Sequence, residues 1–558
     1  MDRRNHVQIW EKKGDRRTGI NHGPQTAEDR DILMLPGGHD VISPVMTGTD
    51  FSPPLLPARP LPLHFPLHTF EPVRKTAGTA LYFHQQISCV ILPVALLARD
   101  NIKSATMNNT ELIKHLAGKK ILFANFPADG HFNPLTGLAV YLQDLGCDVR
   151  WYTSEKYAPR LTQMGIPHIP MNAALDIADV DSAFPERAQI KGMLAKLRFD
   201  ITNIFILRGP EYYADLLQLY NTSFAFDLLI ADCAFTGVPF VKDLMKIPVI
   251  GIGVLPLTET SKDLPPSGLG MTPSYSMIGK IKQALLRKIS DHILFKRPNK
   301  ILHEILDQYN VPHNGETVFD LLPKKTTLFL QSGTPGFEYY RSDLSSNIRF
   351  AGALLPFSSK RTMQSWFDKR LTEYKKMVIV TQGTVEKNIE KIIVPTLEAL
   401  KDTDTLVITT TGGSGTQELQ QRFPQKNIII ADFIPFSEIM PYADAYITNG
   451  GYGGVMLGIE NKVPMIVAGV HEGKNEINAR VGYFKLGINL RKEHPTPGEI
   501  RKAVAKLMGD STYKKNLDKL AKEFATYNPN KLCAYYAAKL LQQQVEQDEL
   551  FPELAASI

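Results

Sequence analysis

The sequence predicts an α/β protein with two Rossmann-like halves, each on its own parallel sheet, facing one another across a cleft. Three observations carry this expectation. Short apolar runs alternate with amphipathic stretches from Lys119, and a second such series starts at Met377. That alternation is the pattern of doubly wound parallel sheets. The second series also contains Tyr446-Ile-Thr-Asn-Gly-Gly-Tyr-Gly-Gly-Val455, an apolar strand that runs into a glycine-rich turn and then opens a helix. Gly450, Gly451, Gly453 and Gly454 lack Cβ, so backbone N–H groups there can approach an anion, helped by the following helix dipole.

Composition sets the bounds. The 558 residues are 43% apolar and 22% charged, enough for large cores. The 63 basic and 57 acidic residues leave a net charge of only +6, and no basic stripe carries interleaved aromatics, which argues against nucleic-acid binding. Cys89, Cys147, Cys233 and Cys533 are scattered without Cys-x-x-Cys spacing. Reduced thiols in a cytoplasmic setting follow, rather than a disulfide framework or a zinc site.

Residues 1–106 read apart from the rest. Proline-rich runs such as Ser52-Pro-Pro-Leu-Leu-Pro-Ala-Arg-Pro-Leu-Pro-Leu63 show neither helical nor strand periodicity, so this segment is expected to be disordered. Ordinary domain sequence starts at Met107, which would make the first segment a non-native upstream extension. The apolar run Ile87 to Ala98 has 12 residues, short of the ~20 a transmembrane helix needs, and lies too far in for a signal peptide.

The first half is expected over 107–355. Lys119 to Phe126 reads as a buried strand, and a helix follows in which Leu135, Leu138, Ala139 and Leu142 recur at helical spacing. Pro134 suits its first position and Gly146 its end. Asp148 to Thr153 is the next strand, 156–164 a helix, Pro167 to Met171 a strand, and Asp227 to Ala231 a strand ending at Asp232. Residues 258–320 read as a Pro/Gly/Ser loop leading into amphipathic helices, and Phe350 to Pro356 as a domain junction. The second half, 356–530, should hold strands Val378–Thr381, Thr405–Thr410, Ile428–Ala431 and Val463–Val467. Helices are expected over 386–400, 474–485, 497–508, 511–526 and 530–547, the last within a C-terminal segment 531–558.

Two side chains carry candidate chemistry in the first half. His131, in Ala128-Asp-Gly-His-Phe-Asn-Pro134, follows the first strand beside a helix N-terminus, and a neutral imidazole there can take a proton from a hydroxyl. Asp232, ending another strand of the same sheet, is placed to fix its tautomer and balance the imidazolium. Asp402-Thr-Asp404 has metal-motif spacing but sits in a helix-to-strand turn and reads as solvated. His471 and Glu472 either touch a ligand or close a loop. Thr410-Thr-Gly-Gly413 ends a strand of the second half and either borders a bound nucleotide or is explained by turn chemistry alone.

Gly130-His-Phe-Asn-Pro134, Ala231-Asp-Cys233, Phe350 to Pro356, Thr381-Gln-Gly-Thr384, Phe433-Ile-Pro435, Thr448 to Gly454, Lys462-Val-Pro-Met465 and Asn478-Ala-Arg-Val481 occur in order. As a set, they make residues 118–545 resemble the family-one nucleotide-sugar glycosyltransferases, most of all the bacterial macrolide-type branch. The resemblance implies a GT-B fold that binds an acceptor in the first half and the donor in the second. It implies inverting, metal-independent transfer with His131 as base, Asp232 as its partner and no cofactor besides the nucleotide sugar. Thr384 would lie near the donor phosphates, Phe433 would stack on the base, and Asn449, Gly450, Gly451, Gly453 and Gly454 would hold the diphosphate. It also implies that the C-terminal helix crosses back to the first half.

The pattern departs from the family at Asn449, where His is usual, at Leu457, where an acid is usual, and at Lys474 and Asn475, which replace an acidic-Gln pair facing the sugar. UDP-hexose is the default donor and a deoxythymidine-diphosphate deoxysugar the alternative. The expected acceptor is an apolar hydroxylated small molecule bound near 258–310. The basic face of Lys280, Lys282, Arg287 and Lys288 leaves room for peripheral membrane contact, with no transmembrane segment. A non-catalytic nucleotide-sugar binding protein is the alternative function. A nicotinamide oxidoreductase is disfavoured, since the loop after the first strand lacks Gly-x-Gly-x-x-Gly.

Overall fold

The computed structural model describes residues 108–357, 366–383, 386–471 and 473–550, with side chains to residue 544. The readings made for 1–106, Thr384 and Glu472 lie outside the described residues. Among the described residues thirteen strands form two sheets, all of whose strand pairs are parallel. The first sheet contains β1 (Lys120–Ala124), β2 (Asp148–Tyr152), β3 (His168–Ile169), β4 (Leu228–Asp232), β5 (Val249–Gly253), β6 (Leu328–Ser332) and β7 (Ile348–Gly352), in the order 3-2-1-4-5-6-7. The second contains β8 (Lys376–Thr381), β9 (Thr405–Thr410), β10 (Ile428–Ala431), β11 (Ala445–Thr448), β12 (Met465–Val467) and β13 (Gly487–Asn489), in the order 10-9-8-11-12-13.

Strand order reverses between β1 and β4 in one sheet and between β8 and β11 in the other. Doubly wound sheets open a crevice at the carboxyl ends of such strands. Each sheet is buried on both faces by apolar clusters. Leu135, Leu138 and Leu142 cover one face of the first sheet, and Leu216, Phe224 and Phe235 the other. Leu532, Cys533, Ala534 and Leu541 of helix Pro529–Leu550 belong to the first sheet's core.

Several elements differ from the sequence reading. The helix after β1 starts at Asp129, so Pro134 sits inside it and His131 lies in its first turn. A proline there removes the bond that Gly130's carbonyl would receive, and the helix continues because Phe132 N–H already bonds the Ala128 carbonyl at 2.9 Å. The helix expected over 386–400 is confined to Ile393–Leu400. Side chains take over the preceding backbone: Gln382 Oε1 accepts from Ile392 and Ile393 N–H at 2.8 and 3.2 Å, and Asn388 Oδ1 accepts from Glu390 N–H at 3.1 Å. The start of the stretch read as a junction, Phe350 to Gly352, belongs to the edge strand β7 (Ile348–Gly352).

Candidate active site

β1 and β4 are neighbours with Ala124 opposite Ala231, so the residues that follow β1 and the last residue of β4 emerge side by side. Asp232 is fully buried, and a buried carboxylate has to be hydrogen-bonded. One of its oxygens accepts from Phe126 N–H at 3.0 Å and the other contacts His131 Nδ1. Both carboxylate oxygens are therefore used. The contact fixes the imidazole with Nδ1–H toward Asp232 and leaves Nε2 with its lone pair. That nitrogen has no partner among the described residues, and the His131 side chain keeps 14% of its surface exposed. The dyad expected from sequence is brought together.

Cys233 stands beside the dyad, and the three side chains could place ligand atoms within 4.8 Å of one another. Burial, then the Asp232 charge, pushes the Cys233 thiol up to about 12. A protonated thiol adds no charge beside the dyad, and each Asp232 oxygen is already engaged, by Phe126 N–H and by His131. The donor set suits proton transfer.

An apolar wall adjoins His131. Phe126 meets its ring edge-on at 5.3 Å, Phe205 stacks on Phe126 at 4.8 Å, and Ile177, Ile204 and Ala234 are buried with them. Most of these side chains come from 177–205. That wall escaped sequence reading because Ile204 and Phe205 close the short turn Asp200–Phe205 and Ile177 lies in the loop before Val180–Ala183, stretches too brief to show a period.

In the second half β8 and β11 are neighbours, with Thr381 opposite Thr448. Gln382 and Gly383 continue one strand, and Asn449 and Gly450 the other. Gly450 has φ +84°, and a Cβ there would meet Asn478 Oδ1 at 1.7 Å. Only glycine fits. Asn449 is buried, donates from Nδ2 to the Gln382 carbonyl and accepts Gly451 N–H at 3.2 Å. Its side chain thus builds the turn. The helix Tyr452–Glu460 that follows has no side-chain cap. The N–H groups of Tyr452, Gly453 and Gly454 find no acceptor among the described residues, which leaves three donors and the positive helix end at one place.

Phe433 follows β10 with 73% of its surface exposed, an open aromatic face. Lys474 opens helix Lys474–Tyr483 and is largely buried, next to Gly469. Asn475 turns to the other half, donating from Nδ2 to the Gly268 carbonyl at 3.0 Å.

That contact is one of several between the halves. Glu476 accepts Gly270 N–H at 2.7 Å, and the Tyr452 hydroxyl donates to the Ser332 carbonyl at 2.7 Å. Arg480 donates to Glu338 at 2.7 Å and to Glu476 at 3.1 Å, and Arg341 reaches Glu338 at 3.1 Å. Burial raises the Glu338 carboxyl, but the Arg480 and Arg341 charges outweigh it and hold the group below its usual range. Sequence reading noticed Arg480 only within a motif, and its spacing among buried Ile477 and Val481 was the available signal for a buried cation.

Residues 395–534 match the family model described as erythromycin biosynthesis protein CIII-like, C-terminal domain. The chain is 32% identical over 414 residues to 4'-demethylrebeccamycin synthase of Lentzea aerocolonigenes, covering 73% of this chain and 96% of that protein. It is 31% identical to UDP-glycosyltransferase 2 of Phaeomoniella chlamydospora, covering 74% and 94%. Among solved structures, the glycotransferase of kitacinnamycin superposes with a TM-score of 0.58 at 18% identity, over 76% of this chain and 99% of that one.

Proposed function

Because this chain belongs to the family-one nucleotide-sugar glycosyltransferases and is a glycosyltransferase with the GT-B fold, we propose that it transfers a sugar with inversion, using His131 as base. The donor of this reading is a nucleotide diphosphate sugar, UDP-hexose first, and the acceptor is a hydroxyl of an apolar small molecule. The relatives' names, a rebeccamycin-type synthase and a UDP-glycosyltransferase, support both choices.

The observation that carries the reading is the buried Asp232 aligned on His131 Nδ1 with Nε2 unpartnered. Nε2 takes the acceptor hydroxyl proton as the oxygen attacks the anomeric carbon. The bond from that carbon to the diphosphate oxygen breaks on the opposite face, and its electron pair leaves with the nucleotide. Asp232 stabilises the imidazolium so formed. The N–H groups of Tyr452, Gly453 and Gly454 would meet the charge gathering on the diphosphate, a task that needs no metal or other cofactor. Phe433 would stack on the base, Lys474 would lie near the donor, and the resemblance would put Thr384 near the phosphates. The wall of Phe126, Phe205 and Ile204 would hold the aglycone, which supports an apolar acceptor. Among the described residues no helix is long and apolar enough to cross a membrane. The reading places the enzyme in the cytoplasm, where nucleotide sugars are available.

The test is a mass-spectrometric transfer assay on the full chain with UDP-glucose, other UDP-hexoses and deoxythymidine-diphosphate deoxysugars against phenolic and polyketide acceptors. A mass gain of one sugar that His131→Ala abolishes is expected. Nucleotide binding without transfer to any acceptor would replace this reading with that of a nucleotide-sugar binding protein.

A further inference from the structure

Helix Met277–Ile289 is amphipathic with its polar side turned inward. Gln283 is 3% exposed, accepts Ser274 N–H at 2.6 Å and donates to the Asp263 carbonyl at 2.9 Å. One turn later Arg287 donates to the carbonyls of Leu264 and Lys262. One turn earlier Lys280 approaches Asp263 at 3.9 Å. These three residues form one stripe of the helix and tie it to the 261–274 loop.

The opposite stripe is Met277, Ile278, Ile281 and Leu285, exposed by 80%, 82%, 67% and 58%, and Ile293 just beyond is 64% exposed. At 100° per residue the four helical positions fall within an arc of about 100°. Soluble helices bury such a stripe. Here Lys282 lies exposed at its edge and Lys288 exposed at its C-terminal end. Between residues 277 and 300 the sequence has seven Lys and Arg against one acid, Asp291. A large apolar stripe flanked by lysines on a helix without acids is the form of a helix that lies in a membrane interface.

Charge decides between occupants. A two-fold contact between copies of this chain would place the helix against itself and bring Lys282 and Lys288 of both copies together. An anionic bilayer complements them. A convex single-helix stripe also offers no pocket for a protein side chain. We propose that helix Met277–Ile289 docks the protein on an anionic lipid surface, with Met277, Ile278, Ile281 and Leu285 entering the headgroup boundary and Lys282 and Lys288 meeting headgroup phosphates. The loop that anchors the helix also supplies Gly268 and Gly270 to Asn475 and Glu476. The polar stripe of the helix is thus tied to the loop that joins the two halves.

Flotation of the full chain with vesicles tests this. Vesicles of phosphatidylcholine alone are compared with vesicles carrying about one-third phosphatidylserine, at low and high salt. Wild type is expected to float with the anionic vesicles and to release as salt rises, since each basic side chain near such a surface contributes about fivefold in partition. Ile281→Glu/Leu285→Glu and, separately, Lys282→Glu/Lys288→Glu should each lower partition by about tenfold or more, with the thermal unfolding midpoint unchanged. The proposal is overturned if wild type does not float with anionic vesicles, or if both double variants float as it does. It is equally overturned if Ile281→Glu/Leu285→Glu converts a dimer to a monomer in light scattering and leaves flotation unchanged, which would assign the stripe to a second copy.

Discussion

β1 with β4 in the first sheet and β8 with β11 in the second occupy equivalent places, each pair meeting where strand order reverses. What they present there differs. The first pair delivers side chains: a fully buried carboxylate, an imidazole and a wall of aromatics. The second delivers backbone, with Asn449, Gln382 and Asn478 spent on shaping a glycine turn that leads into the uncapped N–H groups of Tyr452, Gly453 and Gly454. The contrast follows from the proposed tasks. Accepting a proton needs a group that titrates, hence one particular residue held in one tautomer. Receiving a leaving group of constant negative charge needs only aligned dipoles, hence room for backbone. The first centre should fail when its chemistry changes, the second when its geometry does.

Substitutions separate the two in order of effect. His131→Ala should lower the transfer rate by about 10²- to 10⁴-fold while nucleotide affinity, read by calorimetry, stays within about twofold. A parallel loss of affinity would erase the division of labour. Glu338→Ala leaves Arg480 and Arg341 buried without their shared carboxylate and should cost about 3–5 kcal/mol in denaturant unfolding. Because the folded Glu338 carboxyl sits below 4.5, its stabilisation is complete above that pH and disappears as pH falls through the lower folded value. Wild type should therefore lose stability below pH 4.5 more steeply than Glu338→Gln in acid titrations of the unfolding midpoint.

Gly450→Ala forces a Cβ into Asn478 at positive φ and should cost about 1–3 kcal/mol and weaken nucleotide binding with it. Phe433→Ala, removing an exposed ring, should raise the donor KM about tenfold with kcat little changed. Smallest is Gly453→Ala, where a Cβ meets nothing within 4 Å and φ is not positive. Stability should move by less than about 0.5 kcal/mol. Equal damage from the two glycine changes would show that the second centre depends on composition rather than on backbone shape.

The two-sheet architecture and the His131–Asp232 contact were legible because their strands are uninterrupted apolar runs; Thr405–Thr410 and Ile428–Ala431 match the expected bounds. Strands carrying glycine were not. In β5, Cβ atoms at Gly251 and Gly253 would strike Phe329 and Gln331, and in β13 one at Gly487 would strike the Met465 carbonyl at 2.0 Å. Close packing thus demanded the residues that dilute the strand signal. The charge network around Glu338 and the 177–205 wall were hidden for another reason. They assemble from residues far apart in the chain or from turns without a period, and neither leaves a local pattern.

Helix Pro529–Leu550 contributes Leu532, Cys533 and Ala534, at 2%, 0% and 0% exposure, to the same apolar cluster as Ile121 and Phe123 of β1. The ribosome makes β1 early and this helix near the end. The half synthesised first therefore remains open along one face while the whole second sheet is being made, and it closes only when the final helix leaves the exit tunnel. Folding of the two halves is expected to finish in the reverse of their order of synthesis.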